Sequence, residues 1–114
     1  MMRVVCLVGL IVLVTAGAAF AQQDGARVER GQKVYVAEKC SICHSIAGKG
    51  NQKGALDSVG SKLSADDIRR WIVNAPEMAA KAQVSRKPVM KAYAAMPKDD
   101  LEALVAYMQS LKKS

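Results

Sequence analysis

Five consecutive residues constrain this chain more than any others: Cys40-Ser41-Ile42-Cys43-His44. His44 is the only histidine in 114 residues, and of the three cysteines only Cys6 lies elsewhere. The spacing C-x-x-C-H is a haem attachment signature. Two thiols three positions apart on one helical turn reach the two vinyl groups on one edge of a porphyrin. The next residue, His44, then points its imidazole at the iron. Thioether attachment also keeps the cofactor from being lost by dilution, which matters outside the cytoplasm. Three other readings compete. A structural zinc site needs four ligands, and only Cys40, Cys43 and His44 are on offer. A thioredoxin-like redox pair expects a βαβ pattern, which is absent. A plain Cys40–Cys43 disulfide leaves the long loops described below without an explanation. One haem c, covalent through Cys40 and Cys43, is therefore the expected cofactor. With one histidine, two-histidine ligation within a single chain is excluded, so the sixth iron position falls to a methionine, to a lysine, or stays open.

The chain begins as an exported protein does. Met1-Met2-Arg3 gives a short positive start, Val4 to Val14 is an unbroken apolar run, and Ala19-Phe20-Ala21 is an A-x-A cleavage pattern. This is the anatomy of a secretory signal. An uncleaved anchor is the weaker reading, because the run is well short of the roughly 20 residues a membrane span needs. Cys6 then leaves with the signal. The expected organisation is a leader over residues 1–21 and a single domain over 22–114, in the periplasm or otherwise outside the cytoplasm. A domain of that size often needs a ligand, a metal or a disulfide to be stable. Losing Arg3 takes Lys plus Arg from 17 to 16 against 10 acids, a formal charge of +6. Such a balance suits redox partners with acidic docking surfaces, or loose association with an anionic membrane surface. It does not suit nucleic acid, since the lysines are scattered and not interleaved with aromatics. No small-molecule substrate is expected.

Hydrophobic periodicity predicts an all-α chain of about four short helices. Val28, Gly31, Val34, Tyr35 and Glu38 share a face over 27–39, a mostly apolar stripe. Gly31 in mid-helix costs about 1 kcal/mol relative to alanine, so its expected use is a close approach by another backbone. Ser64-Ala65-Asp66-Asp67 resembles a capping box and predicts a helix through Ile68, Trp71 and Ile72 that ends near Asn74-Ala75-Pro76. Residues 76–81 give a further turn or two. Pro97 suits a first helical position, Asp99 and Asp100 complement the helix dipole, and Leu101, Leu104, Val105, Met108 and Leu111 form the inner stripe. The stretches 45–63 and 82–96 read as irregular. Loops longer than about 12–15 residues are functional or disordered, and a haem would give these a surface to pack on.

At this point the chain resembles the small bacterial monohaem class I cytochromes c, over essentially all of residues 22–114. The resemblance rests on the C-x-x-C-H motif, on Gly31 and Tyr35 facing Leu104-Val105-Ala106-Tyr107, and on the pair Trp71-Ile72. It implies crossing first and last helices, and it places Trp71 near a haem propionate, to which the indole N–H would donate. Trp71 and Ile72 also serve equally as the core face of their helix. The family's Gly-Pro-Leu, whose proline carbonyl accepts the proximal histidine's N–H, is replaced here by Gly54-Ala55-Leu56, so that role passes to Ala55. The resemblance further implies a sulfur ligand well upstream of the last helix with an aromatic three residues later. Met90-Lys91-Ala92-Tyr93 fits, and Met90 is the expected distal ligand. Met96-Pro97 is the rival, but a methionine at the rigid start of a helix is poorly placed to reach iron, and Met96 reads as a staple at the helix entrance. Met108 reads as core, and Met78, a lysine or an open site remain. His44/Met90 ligation implies one-electron transfer, because a thioether favours ferrous iron and raises the potential. It implies no catalysis at the haem, although such a chain can still serve as one subunit of an oxidoreductase. The resemblance also places Lys49, Lys53, Arg86, Lys87 and Lys91 near the exposed haem edge. A haem enzyme or gas binder with an open or labile sixth position, and a haem-free exported domain, are the alternatives.

Overall fold

The computed structural model of the chain describes Gly9 and residues 16–112. The charged start and nearly all of the apolar run of the expected leader, with Cys6, lie outside the described residues. From Ala16 the backbone is helical, and α1 spans Ala16–Ala37. Periodicity predicts a start at Arg27 and an end at Lys39. The end comes sooner because Lys39 takes a left-handed conformation, φ 56°, which stops the helical ladder and turns the chain into a 3-10 turn, Cys40–Ile42. No helix among the described residues is long and apolar enough to cross a membrane.

The stretch expected to be irregular after the cysteine cluster is more ordered than periodicity suggests. Two short strands, β1 (Ser45–Ile46) and β2 (Lys49–Gly50), pair antiparallel with Ile46 opposite Lys49. The turn between them is Ala47-Gly48, with φ 52° and 78°. Positive φ at both central residues is what a two-residue I′ hairpin requires. Gly48 signals such a turn, but Ala47 does not, since a Cβ is disfavoured there. A hydrogen bond from Ala47 N to Asp57 Oδ1, 2.6 Å, holds the strained residue in place. A second 3-10 turn, Gln52–Gly54, follows, capped by the Asn51 side chain, and then the short helix α2, Val59–Lys62. Neither the hairpin nor α2 is signalled by periodicity.

The remaining helices follow the sequence closely. In α3, Ala65–Val73, the Ser64 side chain accepts from Asp67 N at 3.2 Å, the predicted cap. Helix α4 covers Ala75–Lys81 with Pro76 in its first turn, where the missing N–H costs nothing. Residues 82–97 carry no helix or strand. Helix α5 runs Lys98–Ser110, with Pro97 capping it rather than forming its first turn.

The core lies where α1 crosses α5 and α3 packs against α5. Val34, Tyr35, Ile68, Ile72, Leu104, Val105 and Met108 form one buried cluster, and each such side chain contributes about 1.5–3 kcal/mol on burial. The crossing depends on Gly31. A Cβ there would overlap the Ala103 carbonyl oxygen and stand 2.6 Å from Tyr107 Cβ, so the close approach expected of this glycine is observed. Beside it the Tyr35 and Tyr107 rings meet edge to face, centroids 5.9 Å apart. Two ion pairs tie the helices outside the core: Arg30–Asp100 at 2.8 Å, and Arg69 with both oxygens of Glu102 at 2.8 Å each.

Candidate haem site

The left-handed Lys39 sends the chain off the end of α1 and into the cysteine turn. The turn is closed by Cys43 N and His44 N, both donating to the Cys40 carbonyl, at 3.1 and 2.9 Å. Cys40 and Cys43 are free, half-buried thiols. Burial, with a smaller push from Glu38, raises the Cys40 thiol to about 11. Ile42, between the two cysteines, points outward and is 68% exposed.

His44 is half-buried, and its Nδ1 lies 2.9 Å from the Gly54 carbonyl oxygen. A carbonyl only accepts, so Nδ1 carries the hydrogen and Nε2 keeps its lone pair. This is the usual way a protein fixes the tautomer of a ligating imidazole. Burial holds the ring below its ordinary pKa, the Gly54 carbonyl opposes this, and the Arg86 charge adds to the lowering. The imidazole is therefore neutral and basic at Nε2 at neutral pH. The acceptor is Gly54 rather than Ala55: the 3-10 turn Gln52–Gly54 presents its last carbonyl to the ring, while Ala55 takes up extended backbone beside Ser45.

Cys40, His44 and Met90 line one cavity, whose other walls are largely apolar and come from α1, α2, α3 and α5 through Tyr35, Val59, Ile68, Ile72, Leu104 and Met108, with Leu56 and Leu63 beside them. Its volume, about 80 Å³, is small beside the roughly 300–1,000 Å³ of ligand sites. Met90 brings the wall drawn from residues 82–97, which carry no helix or strand. The donor set fits a haem: an imidazole free at Nε2, a thioether, a thiol on the rim and an apolar lining. Met96 does not line this cavity and packs half-buried against the core cluster, as its staple reading predicts. Met78 does not line it either.

Trp71 is half-buried and outside the core cluster, whereas Ile72 beside it is buried at 5% exposure. Tyr93 packs against the core, and its backbone N–H bonds the Ile72 carbonyl at 2.9 Å, anchoring the end of the Met90 segment to α3. Lys49, Lys53, Lys87 and Lys91 are exposed, Lys91 lying 4.8 Å from the Tyr93 ring centre. Arg86, grouped with them by sequence, is half-buried and turned inward, donating to the Cys43 carbonyl at 2.5 Å. No local signal marks that contact, since the partners are 43 residues apart. A larger open cleft, about 710 Å³, lies on the outer side of the cysteine turn against Val36, Lys39, Ile42 and Lys49. It holds neither His44 nor a methionine.

Over 92 residues the chain is 28% identical to cytochrome c oxidase subunit 2 of Alkalihalophilus pseudofirmus. The match takes in 73% of this chain but 25% of that protein, so the chain spans about a quarter of its relative's length. No solved structure gives a significant match. The family model for cytochrome c matches residues 28–112, from the crossing face of α1 to the end of α5. The chain belongs to the cytochrome c family, with the mostly helical fold and haem-based electron transfer that membership entails.

Proposed function

We propose that the protein carries single electrons on one haem, attached through Cys40 and Cys43, with His44 and Met90 as the two axial ligands, and exchanges them with redox partners outside the cytoplasm. The observation that carries this reading is the shared lining of one apolar cavity by Cys40, His44 and Met90. The bound haem supplies a one-electron iron couple. The chain's residues tune that couple from two sides. The Gly54 carbonyl fixes the His44 tautomer, which leaves the Nε2 lone pair free to bind iron and would make the ring a better donor. The Met90 thioether favours ferrous iron and so raises the potential. The apolar walls exclude water and disfavour the extra charge of the ferric state. With both axial positions filled, oxygen has no place to bind, which separates a carrier from an oxygen-activating enzyme.

The experiment is spectroscopic. The weak ferric sulfur-to-iron charge-transfer band should be present in the wild type and in Met96→Ala, and absent from Met90→Ala. A band that survives in Met90→Ala would sink Met90 as the ligand. A wild type that lacks the band and binds carbon monoxide readily would favour the open-site alternative. Export through the leader 1–21 is tested on the same preparation, whose mature chain should begin at Gln22 by mass.

Partner docking belongs at the thioether edge. Ile42 is exposed there, and Lys39 and Lys49 line the cleft beside it. An apolar spot rimmed by cations suits a partner with carboxylates around its own redox centre. Electron-transfer rates that do not change with ionic strength would argue against such steering. Similarity to part of an oxidase subunit supports an acceptor of that kind, a terminal oxidase or a related oxidoreductase. An oxidoreductase co-purifying with the haem protein would support it.

A further inference from the structure

We propose that Arg86 is a positioning residue that latches the segment carrying Met90 to the turn carrying His44, so that the two axial ligands are held on one frame; this rests on Met90 as the sulfur ligand. The guanidinium donates through Nη2 to the Cys43 carbonyl at 2.5 Å. Its other terminal nitrogen, Nη1, fills the space that a side chain at position 54 would need. A Cβ built on Gly54 would overlap Nη1 and the Cys43 carbonyl oxygen, and would stand 2.9 Å from His44 Nδ1. The guanidinium therefore sits in a notch that exists because residue 54 is glycine. One edge of the notch is a haem-attachment cysteine and another is the proximal imidazole. The carbonyl of the same glycine accepts the His44 N–H.

The segment has few other restraints. The Val84 N–H bonds the Ala79 carbonyl at 2.9 Å, and the next backbone tie is Tyr93 N to Ile72 O at 2.9 Å. Between these two, among the described residues, the Arg86 bond is the one hydrogen bond that joins the segment to the rest of the protein. Met90 lies inside that span, four residues after Arg86 and three before Tyr93. Without the latch the span is held only at its ends, and closing sulfur onto iron must order more backbone each time. The ligand then exchanges more readily with competitors. A planar fork that donates through one terminal nitrogen while the other fills the notch is required for this seat. Lysine keeps the charge but cannot both reach the carbonyl and fill the notch.

The test uses haem-loaded Arg86→Lys, Arg86→Gln and Met90→Ala proteins, with imidazole as the probe of the ferric sixth position. Both Arg86 variants should bind imidazole about tenfold more tightly than wild type, with a weakened sulfur-to-iron band and unchanged helix content by circular dichroism. Lysine separates a latch from a simple field effect: if Arg86→Lys matches the wild type within about twofold, charge alone suffices and the proposal is overturned. It is equally overturned if Arg86→Gln matches the wild type. Met90→Ala distinguishes the two levels of the argument. If it loses the band and gains imidazole affinity while the Arg86 variants behave as wild type, the latch fails and the ligand assignment stands. If it keeps the band, the ligand assignment fails and the latch falls with it.

Discussion

At the scale of single residues, glycine is where sequence and space meet most sharply in this chain. Gly31 and Gly25 sit on the same helix, yet their surroundings are opposite. A Cβ at Gly31 would strike the backbone of α5 at Ala103, which cannot move aside, whereas a Cβ at Gly25 meets nothing within 4 Å. Gly31→Ala gains about 1 kcal/mol of helix propensity but forces apart the α1–α5 crossing, an overpacking cost of about 1–3 kcal/mol. The net expectation is a loss, read as a fall in melting temperature of several degrees, since about 1 kcal/mol shifts a domain of this size by about 4–8 °C. Gly25→Ala should leave the melting temperature unchanged or raise it slightly. Equal melting of the two variants would show that α1 and α5 do not approach as closely as Gly31 requires. Gly31 was legible because a glycine in mid-stripe has few other uses. Gly54 and Gly60 were not, because their partners are remote: Gly60 lies against the Gln109 backbone and donates to the Leu111 carbonyl at 2.8 Å, where α2 meets the end of α5.

At the scale of elements, the helices were largely readable and their connections were not. Ser64 announces α3, Pro97 announces α5, and Pro76 marks the break between α3 and α4, each through a rule that acts within a few residues. The hairpin at Ala47-Gly48 depends instead on a side chain ten residues away, Asp57, to hold an alanine at positive φ. The carbonyl that accepts from His44 belongs to Gly54 and not to Ala55 for a similar reason, since a 3-10 turn rather than a proline sets the register there. Between elements, the clip from Arg69 to Glu102 makes a pH-dependent contribution whose sign follows from its geometry. The Arg69 hydrogen bonds hold the Glu102 carboxyl below its usual range, against a weaker opposing effect of burial. A depressed folded-state pKa means stability that is fully present above the unfolded value, about 4.3, and is lost as pH falls through the folded one. Glu102→Gln should therefore melt below wild type at neutral pH, by a small margin because both side chains are about a third exposed. That margin should shrink as pH drops below about 4. A margin that stays constant from neutral pH down to about pH 3 would show that the clip does not act through the carboxylate.

At the scale of the whole molecule, the core is thin, and its make-up explains why the residue pattern by itself implied a ligand. Among the described residues the buried cluster has seven members, and five of them, Tyr35, Ile68, Ile72, Leu104 and Met108, also line the cavity with His44 and Met90. Their packing is thus shared between each other and whatever fills that space. An apolar space left without an occupant there deprives those side chains of packing partners, and a small domain has little stability in hand to offset that loss. A haem bound there would also give residues 82–97, which carry no helix or strand, a surface to pack against. If haem is attached through Cys40 and Cys43 as proposed, the chain made with Cys40→Ser and Cys43→Ser cannot hold it covalently and should lose that packing together with the order of the loops. The expected result is a melting temperature at least about 10 °C below the haem-loaded protein, with proteolysis beginning in the segment around Met90 rather than in α5. The two serine substitutions by themselves touch only half-buried positions on a turn, so the α1–α5 crossing should keep its helical signal at low temperature. A haem-free double variant that melts within a degree or two of the loaded protein would mean that the helices alone make the core, and that the loops need no cofactor to pack against.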